Sequence, residues 1–377
     1  MFALNSSTET SADEPAIKPQ RGNESYMALV WRRLRRSWTG MTGLLLVVLL
    51  LVMAVFADFF APMDPKATDI GFAPPQTISF HDKDGGFVFW PRVYAQTDSE
   101  ELDPVTFQPI VGPDYDNPRY LGFFVKGMEY RLLGLIPFDR HFFGSTDGQP
   151  VHFLGTDKFG RDVLSRAIHG SRISLMIALT VVFIVTVIGT AVGMISGYFG
   201  GALDTWIQRF VEVILAFPQL PLYLALTSHI PVTAPTSVFL GFVIIVMSAL
   251  GWAQMSREVR GKTLSLARIE YVRAAMAVGA TDWRIIMQHI FPNVISHVIV
   301  AVTLAIPSVV LLESFLGFLG FAVKPPLISW GLMLQDTATY SVIGSYPWIL
   351  SPVGFVLVTV FAFNALGDGL RDAVDPY

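Results

Sequence analysis

Five stretches of this 377-residue chain run for about twenty residues or more without Asp, Glu, Lys or Arg, the fourth of them broken only by Glu313. A bilayer core about 30 Å thick takes about 20 apolar helical residues to cross, so the arrangement of these stretches constrains the fold more than any other feature. Composition agrees: 52% of residues are hydrophobic, 15% are charged and mean hydropathy is +0.52, values that mark a membrane protein. The chain has no cysteine, which removes disulfides, thiolate metal sites and thiol nucleophiles together. A formal net charge of -4 gives no support to a nucleic-acid partner.

The stretches lie at 37–57, 173–203, 213–256, 293–320 and 347–367. The third is too long for one crossing and carries Ser228, Pro231, Pro235 and Thr236 near its middle, so it divides into spans at 206–227 and 237–255, making six. Arg32, Arg33, Arg35 and Arg36 precede the first span, whose apolar run is long for a signal peptide, and the positive-inside rule sets the N-terminus in the cytoplasm. Six crossings return the C-terminus there. The connection 257–284 carries Arg257, Arg260, Lys262, Arg268, Arg273 and Arg284 and falls inside. The connection 62–165, with fifteen acidic residues against nine basic, falls outside.

Four regions follow: a polar, disordered cytoplasmic tail at 1–25; an interfacial helix and first span at 26–61; an extracytoplasmic cap at 62–150; and a core at 151–377 that holds the other five spans and an inner loop at 257–292. The helix over 26–38 places Met27, Val30, Trp31, Leu34 and Trp38 opposite the arginines, a pattern suited to the membrane surface. The cap carries Pro74, Pro75, Gly85, Gly86, Pro113 and Pro118 among Phe87, Phe89, Trp90, Tyr120, Phe123 and Phe124, which reads as a small domain with short strands.

Gly189, Gly193 and Gly197 recur every fourth residue of the second span and share one helix face, where another backbone can approach closely. Gly261, Lys262 and Thr263 are no phosphate loop, because Ser256 stands where that motif needs glycine. His141, His152 and His169, near Asp139, Asp147, Asp157 and Asp162, lack metal-ligand spacing and are expected to be solvated or to cap helices. Glu212 and Glu313 are ionisable groups in spans, each near an end of its helix and expected to be solvated or paired. On the inner loop, a short helix over 268–280 puts Ala275 and Gly279 on one face, with Ala274 and Val278 beside them. Thr281 or Asp282 caps a second over 283–290, before Pro292 and Asn293 open the fifth span. The residues alone leave a docking element and a plain amphipathic connector level.

The run from Glu270 through Ala274, Ala275, Gly279 and Ala280 to His289, Phe291, Pro292 and Asn293 resembles the coupling loop of bacterial ABC importer permeases, most closely the dipeptide, oligopeptide and nickel C-type branch. Three further stretches share in the resemblance: Gly155, Asp157, Gly160, Arg161 and Asp162 with Ser165, Arg166, Gly170, Arg172 and Ser174; Pro325 to Trp330 and Gly331; and Phe363 and Asn364 through Gly367, Asp368, Arg371 and Asp372 to Asp375 and Pro376. Arg273 stands at the first position of the loop's usual triplet, and 62–150 is longer than in the shorter members. The resemblance implies an all-α membrane protein with six transmembrane helices, the type I importer permease fold and an extended extracytoplasmic insertion after the first helix. It implies a coupling loop with Glu270, Ala274, Ala275, Gly279, Ala280, Asp282 and Pro292 at its contact, and no catalysis or cofactor in this chain. ATP and Mg would be bound by two partner ATPases, beside a homologous second permease, an extracytoplasmic solute-binding protein and membrane lipid. Peptide is the expected solute, with oligosaccharide or chelated nickel as alternatives. An ion-coupled secondary transporter would need buried carboxylates near the bilayer centre and a broken-helix repeat, and neither is evident. A membrane hydrolase fails because Ser296 and His297 are adjacent on a helix and diverge.

Overall fold

The computed structural model describes residues 26–82, 86–104, 107, 109–231, 233–321 and 323–374. The tail expected at 1–25, Gly85 of the cap and Asp375 and Pro376 of the last signature lie outside these. Helix α1 (Tyr26–Leu34) leads through a turn to α2 (Trp38–Val55) and the single turn α3 (Ala57–Phe60). Strands β1 (Ser79–His81), β2 (Phe87–Leu102), β3 (Pro109–Leu132) and β4 (Ile136–Ser145) come next. The remainder is helical: α4 (Val163–Phe199), α5 (Gly201–Ala216), α6 (Gln219–Thr227), α7 (Thr236–Leu266), α8 (Glu270–Ala277), α9 (Asp282–Ile285), a π-turn (Ile286–Ile290), α10 (Phe291–Phe318), α11 (Trp330–Leu334), α12 (Tyr340–Ser345) and α13 (Ser351–Val374).

Among the described residues five helices are long and apolar enough to cross a membrane, and the pair α5 and α6 makes a sixth if the bent pair is one span. That pair departs from the straight third span read from the sequence, because it bends by 79°. The cause is Pro218. It has no N–H and disfavours helical backbone at the residue before it, and Phe217 is extended, with φ -76 and ψ 134. Other spans outrun their apolar stretches. Helix α4 begins ten residues earlier than expected, because the Asp162 carboxylate accepts from the Ser165 N–H at 2.7 Å and caps it. Helix α7 continues to Leu266, so Arg257, Arg260 and Lys262 ride on a helix rather than a loop.

Helices α4 and α10 sit at the centre and belong to both main apolar clusters. On one side Ile177, Val181 and Val185 of α4 meet Val243 and Met247 of α7 and Val294 of α10. On the other, Leu175 and Ala178 of α4 meet Val47 and Leu50 of α2 and Val356 and Phe363 of α13. Outward faces stay apolar: Leu45, Val48 and Leu49 of α2 and Phe183 and Val187 of α4 are exposed. A bundle only a few helices thick behaves so when its solvent is hydrocarbon. Helix α1 is shorter than the one expected over 26–38. It lays Val30 and Leu34 against α13, and Ser37 interrupts it by accepting the Gly40 N–H and capping α2.

The cap differs most from expectation. Its strands are long rather than short, and they form one four-stranded antiparallel meander in the order β1-β2-β3-β4. The first half of β3 pairs with β2, Arg92 opposite Tyr120, and the second half pairs with β4, Leu121 opposite Ser145. Prolines within β2 and β3 made these segments read as short strands. Pro118 and Pro109 stand where the ladder shifts register, between Tyr94 and Ala95 and between Asp98 and Leu102.

Candidate functional site

Two ends of the bundle carry the polar constellations, one at the α8 and α9 loop and one at the sheet. At the loop end, α8 stops at Ala277. Val278 donates to Ala274 O, Gly279 to Met276 O and Ala280 to Ala275 O, the paired bonds that close a helix when the residue after the cap is left-handed. Gly279 has φ +83, and a Cβ there would meet nothing within 4 Å. The expected helix over 268–280 is therefore cut short. Gly279 does not share a helix face with Ala275 but turns the chain behind it.

This loop is tied at both edges to spanning helices. The Tyr271 hydroxyl donates to His289 O at 3.3 Å, and Asn293 Nδ2 donates both to that carbonyl, at 2.8 Å, and to the Tyr271 oxygen, at 3.1 Å. Pro292 has no N–H to offer Gln288 O, and the turn before it widens to a π-turn closed by Phe291 N–H on Ile286 O. The second helix therefore runs on into α10 without the expected break. Opposite, Tyr198 at the end of α4 donates to Asp282 Oδ1 at 2.7 Å. Beneath the loop, Val272 of α8 and Ile285 of α9 are fully or almost fully buried, at 0% and 1% exposure. Glu270, Ala274 and Ala275 lie along α8, while Ala280 is half-buried beside Gly279. Arg260 on α7 makes a two-pronged contact with Asp204 on α5, Nε and Nη2 at 2.5 and 2.6 Å, which fixes the same end of the bundle.

Gly189, Gly193 and Gly197 face α7 in sequence. A Cβ on each would lie 2.7 Å from Met255 Cβ, 2.6 Å from Ser256 O and 2.8 Å from Arg260 O. A second glycine crossing was not anticipated: a Cβ on Gly43 of α2 would lie 2.3 Å from Leu366 N of α13, and Gly40 faces Gly369. No regular spacing announces it, because the glycines are divided between helices far apart in sequence.

At the sheet end, the run from Gly155 to Asp162 folds as a knot before α4. Asp157 Oδ1 accepts the N–H groups of Phe159 and Arg161, and its Oδ2 accepts Arg161 Nε at 2.7 Å with Arg166 Nε at 3.5 Å. Gly160 lies so close to Asp69 that a Cβ has no room. The histidines, expected to be solvated or to cap helices, are pairing groups instead, His141 and His152 buried and His169 half-buried. His152 bridges Asp162 at 3.1 Å and Asp69 at 3.3 Å; His169 meets Asp58 at 3.1 Å; His141 lies 3.2 Å from Met128 O. Among the described residues no three His, Asp or Glu side chains gather as metal ligands.

The His169 hydrogen bond and the Arg172 guanidinium hold the Asp58 carboxyl well below the ordinary aspartate range, against the opposing effect of its burial. A carboxyl whose folded pKa is lowered stabilises the fold fully above its unfolded value, about 3.9, and loses that stabilisation as pH falls toward the folded value. Thermal unfolding of the purified protein between pH 7 and pH 3 should therefore show a shallower acid loss in Asp58→Asn than in the parent chain.

Glu313 is fully buried rather than solvated. The Ser174 hydroxyl donates to Glu313 Oε2 at 2.9 Å and accepts the Trp330 N–H at 3.1 Å, while the Trp330 indole donates to Ala167 O at 2.9 Å. Two of the signature stretches, around Ser174 and around Trp330, thus meet a carboxyl 139 residues from Ser174. Ser174→Ala leaves a buried N–H and a buried carboxyl without their partner and should destabilise by about 1–3 kcal/mol, read as a lower unfolding midpoint in detergent. Glu212, by contrast, is exposed and accepts from Arg209 at 2.9 Å.

Between α6, α7 and α10 lies a groove of about 680 Å³, whose walls include Gln219, Tyr223, Met247, Gln254 and Ser308. It shares Glu258, Ala301 and Leu304 with a second hollow of about 530 Å³ that opens at the loop end past Lys262, His297 and Arg371. The two form one channel-like face, apolar in the middle of the bundle and charged toward the loop.

Residues 189–377 match the family described as binding-protein-dependent transport system inner membrane component, and residues 25–75 match the N-terminal transmembrane domain of oligopeptide transport permease C. The dipeptide transport system permease protein DppC of Bacillus subtilis is 31% identical over 375 residues, covering 100% of this chain and 92% of that one. The oligopeptide transport system permease proteins OppC of Haemophilus influenzae and Escherichia coli are 43% and 42% identical, over 60% and 61% of this chain and 70% and 74% of theirs. A solved structure, of inward facing conformations of the MetNI methionine ABC transporter, is similar at a TM-score of 0.45 and 17% identity over 56% of this chain and 97% of that one, too distant to decide anything further. The chain is thus a member of the inner-membrane components of binding-protein-dependent ABC transport systems, in the branch of the oligopeptide and dipeptide C-type permeases.

Proposed function

We propose that this subunit pairs with a homologous second permease to enclose a path for peptides, driven by two ATPases on the cytoplasmic side and fed by a solute-binding protein on the other. The loop end carrying α8 and α9 is cytoplasmic, as are both termini, and the sheet is extracytoplasmic. Support comes from the basic residues around the loop and from relatives named for oligopeptide and dipeptide transport. This chain catalyses no covalent step and binds no nucleotide; it converts a movement of its partners into a movement of helices.

One observation carries the reading: the α8 and α9 loop is tied to α10 through Tyr271, His289 and Asn293 and to α4 through Tyr198 and Asp282. A connector serving only to join two spans needs no such bracing. A loop that must pass on the force of closing ATPases does, because slack between it and the central helices α4 and α10 would dissipate the displacement. Glu270, Ala274, Ala275, Gly279, Ala280 and Asp282 form the contact in this reading, and Pro292 fixes the π-turn at its base. The groove along α7 and α10 supplies this chain's wall of the path.

The test is reconstitution of the full assembly, both permeases and both ATPases, in proteoliposomes with its binding protein outside. Peptide-loaded binding protein should stimulate ATP hydrolysis and peptide uptake together, and the isolated subunit should hydrolyse none. Stimulation by an oligosaccharide-loaded but not a peptide-loaded binding protein would reassign the solute and leave the coupling intact. Uptake that needs only an ion gradient would overturn the reading.

A further inference from the structure

The β3–β4 hairpin ends in the run Leu132, Leu133, Gly134, Leu135, Ile136, Pro137. Leu133, Leu135 and Ile136 are 58%, 81% and 59% exposed, a wholly apolar tip on an otherwise mixed ribbon. The turn is made in an unusual way for water. Leu133 and Gly134 have φ +53 and +74, and at the first of these positions hairpins favour Asn, Asp or Gly. An aliphatic side chain is held in left-handed backbone at the turn of the hairpin.

The direction of the ribbon follows from its contacts with the end of the first span. Gly144 approaches Pro62; Phe142, two residues nearer the tip, packs on Phe60 and Phe59 at 5.5 and 5.9 Å; Phe124 on the facing strand lies 6.0 Å from Phe59. Moving along β4 toward the tip therefore retraces the chain from Pro62 back toward α2, that is, toward the bilayer. At about 3.4 Å per residue, the six residues from Phe142 to Ile136 carry the tip about 20 Å beyond the phenylalanine cluster. A leaflet's hydrocarbon is about 15 Å deep, half the core thickness.

We propose that the hairpin tip at 133–136 is inserted into the sheet-side leaflet of the bilayer, anchoring the cap to lipid beside α2. The site is continuous with a lipid-facing surface, since Val52 and Val55 at that end of α2 are exposed and apolar. Exposed Arg131, next to Leu132 on β3, stands just behind the tip, placed for lipid phosphates when the leucines are immersed, while Arg140, further back on β4, donates to Phe124 O at 3.0 Å. An apolar tip of this kind in water would be a liability for association. Set in the leaflet, it fixes the angle at which the sheet stands over the bundle.

Absence of cysteine makes the test direct, because one introduced thiol carries the only label. Leu135→Cys and, as a control on the far half of β3, Asp116→Cys are labelled with a nitroxide on the purified subunit, which is then combined with its partners into the complete assembly in vesicles of phosphatidylethanolamine and phosphatidylglycerol. Paramagnetic relaxation by oxygen, which partitions into lipid, is compared with relaxation by a water-soluble nickel chelate. Oxygen should dominate several-fold at position 135 and the chelate at position 116. Equal access of the chelate to both positions would overturn the proposal by leaving the tip in water. Exclusion of both reagents from position 135 would also overturn it, by showing the tip buried against a protein partner. None of these outcomes depends on which solute is carried.

Discussion

Gly193→Leu is expected to cost the subunit its folded state in the membrane. The α4 helix passes α7 with nothing between their backbones at this residue: a Cβ would lie 2.6 Å from Ser256 O and 2.8 Å from Val259 Cβ. Neither neighbour is the end of a flexible side chain, so relief requires the helices to part. Parting them at Gly193 also separates Gly189 from Met255 and Gly197 from Thr263, because rigid helices cannot open at one turn alone. Core overpacking costs typically about 1–3 kcal/mol where side chains can shift, and with backbone on both sides the upper end of that range or more is expected. Gly193→Ala should show an intermediate loss. Gly241→Leu, at a glycine of α7 whose Cβ would meet nothing within 4 Å, should be neutral or slightly stabilising. The measurement is the yield of monodisperse subunit and its unfolding midpoint in detergent; an unchanged midpoint in Gly193→Leu would mean that the crossing is not needed for the fold.

The span positions were legible because an apolar run is a local property, and five of the six lie where the charge-free stretches put them. Their ends were less so. The start of α4 lies among the charges of Arg161, Asp162 and Arg166, which hydropathy counts against a span, although Asp162 three residues before Ser165 is a recognisable cap. The break at Pro218 was also present as a signal, outweighed by the apolar run on either side. What the chain could not disclose were meetings of distant residues. Nothing local to Glu313 announces Ser174, and nothing local to Gly43 announces Leu366. In the cap, alternation was masked by prolines and by aromatic residues on both faces, so strands of 16 and 24 residues passed for short ones. At the inner loop the helix geometry differs from the one read from the residues. Glycine just past a helix is a stop signal, and extending the helix through Gly279 overlooked it.

Gly279→Trp is the change expected to abolish transport while leaving insertion and pairing with the second permease intact, and the structure alters the reason. Gly279 is the left-handed residue that closes α8, so a Trp side chain there carries a conformational cost of about 1–2 kcal/mol. The space around it is open, with nothing within 4 Å of a Cβ, so the indole would project into whatever surface the loop docks on. Overpacking that contact adds about 1–3 kcal/mol. Docking on the ATPase would then weaken by roughly thirty-fold or more, at about 1.4 kcal/mol per factor of ten. Asn tolerates left-handed backbone, so Gly279→Asn keeps the turn and isolates the contact from the strain; it should retain much of the coupling. Thr263 is unsuited as a control position, because it is fully buried against Gly197. Gly261→Trp, on the exposed side of α7 with open space around it, tests whether any bulky residue near the loop is tolerated. Co-purification of the ATPases and peptide-stimulated ATP hydrolysis in proteoliposomes are compared across the four chains. Full coupling in Gly279→Trp would sink the docking role, and equal loss in Gly261→Trp would show that the surface in contact extends along α7 rather than centring on the turn behind α8.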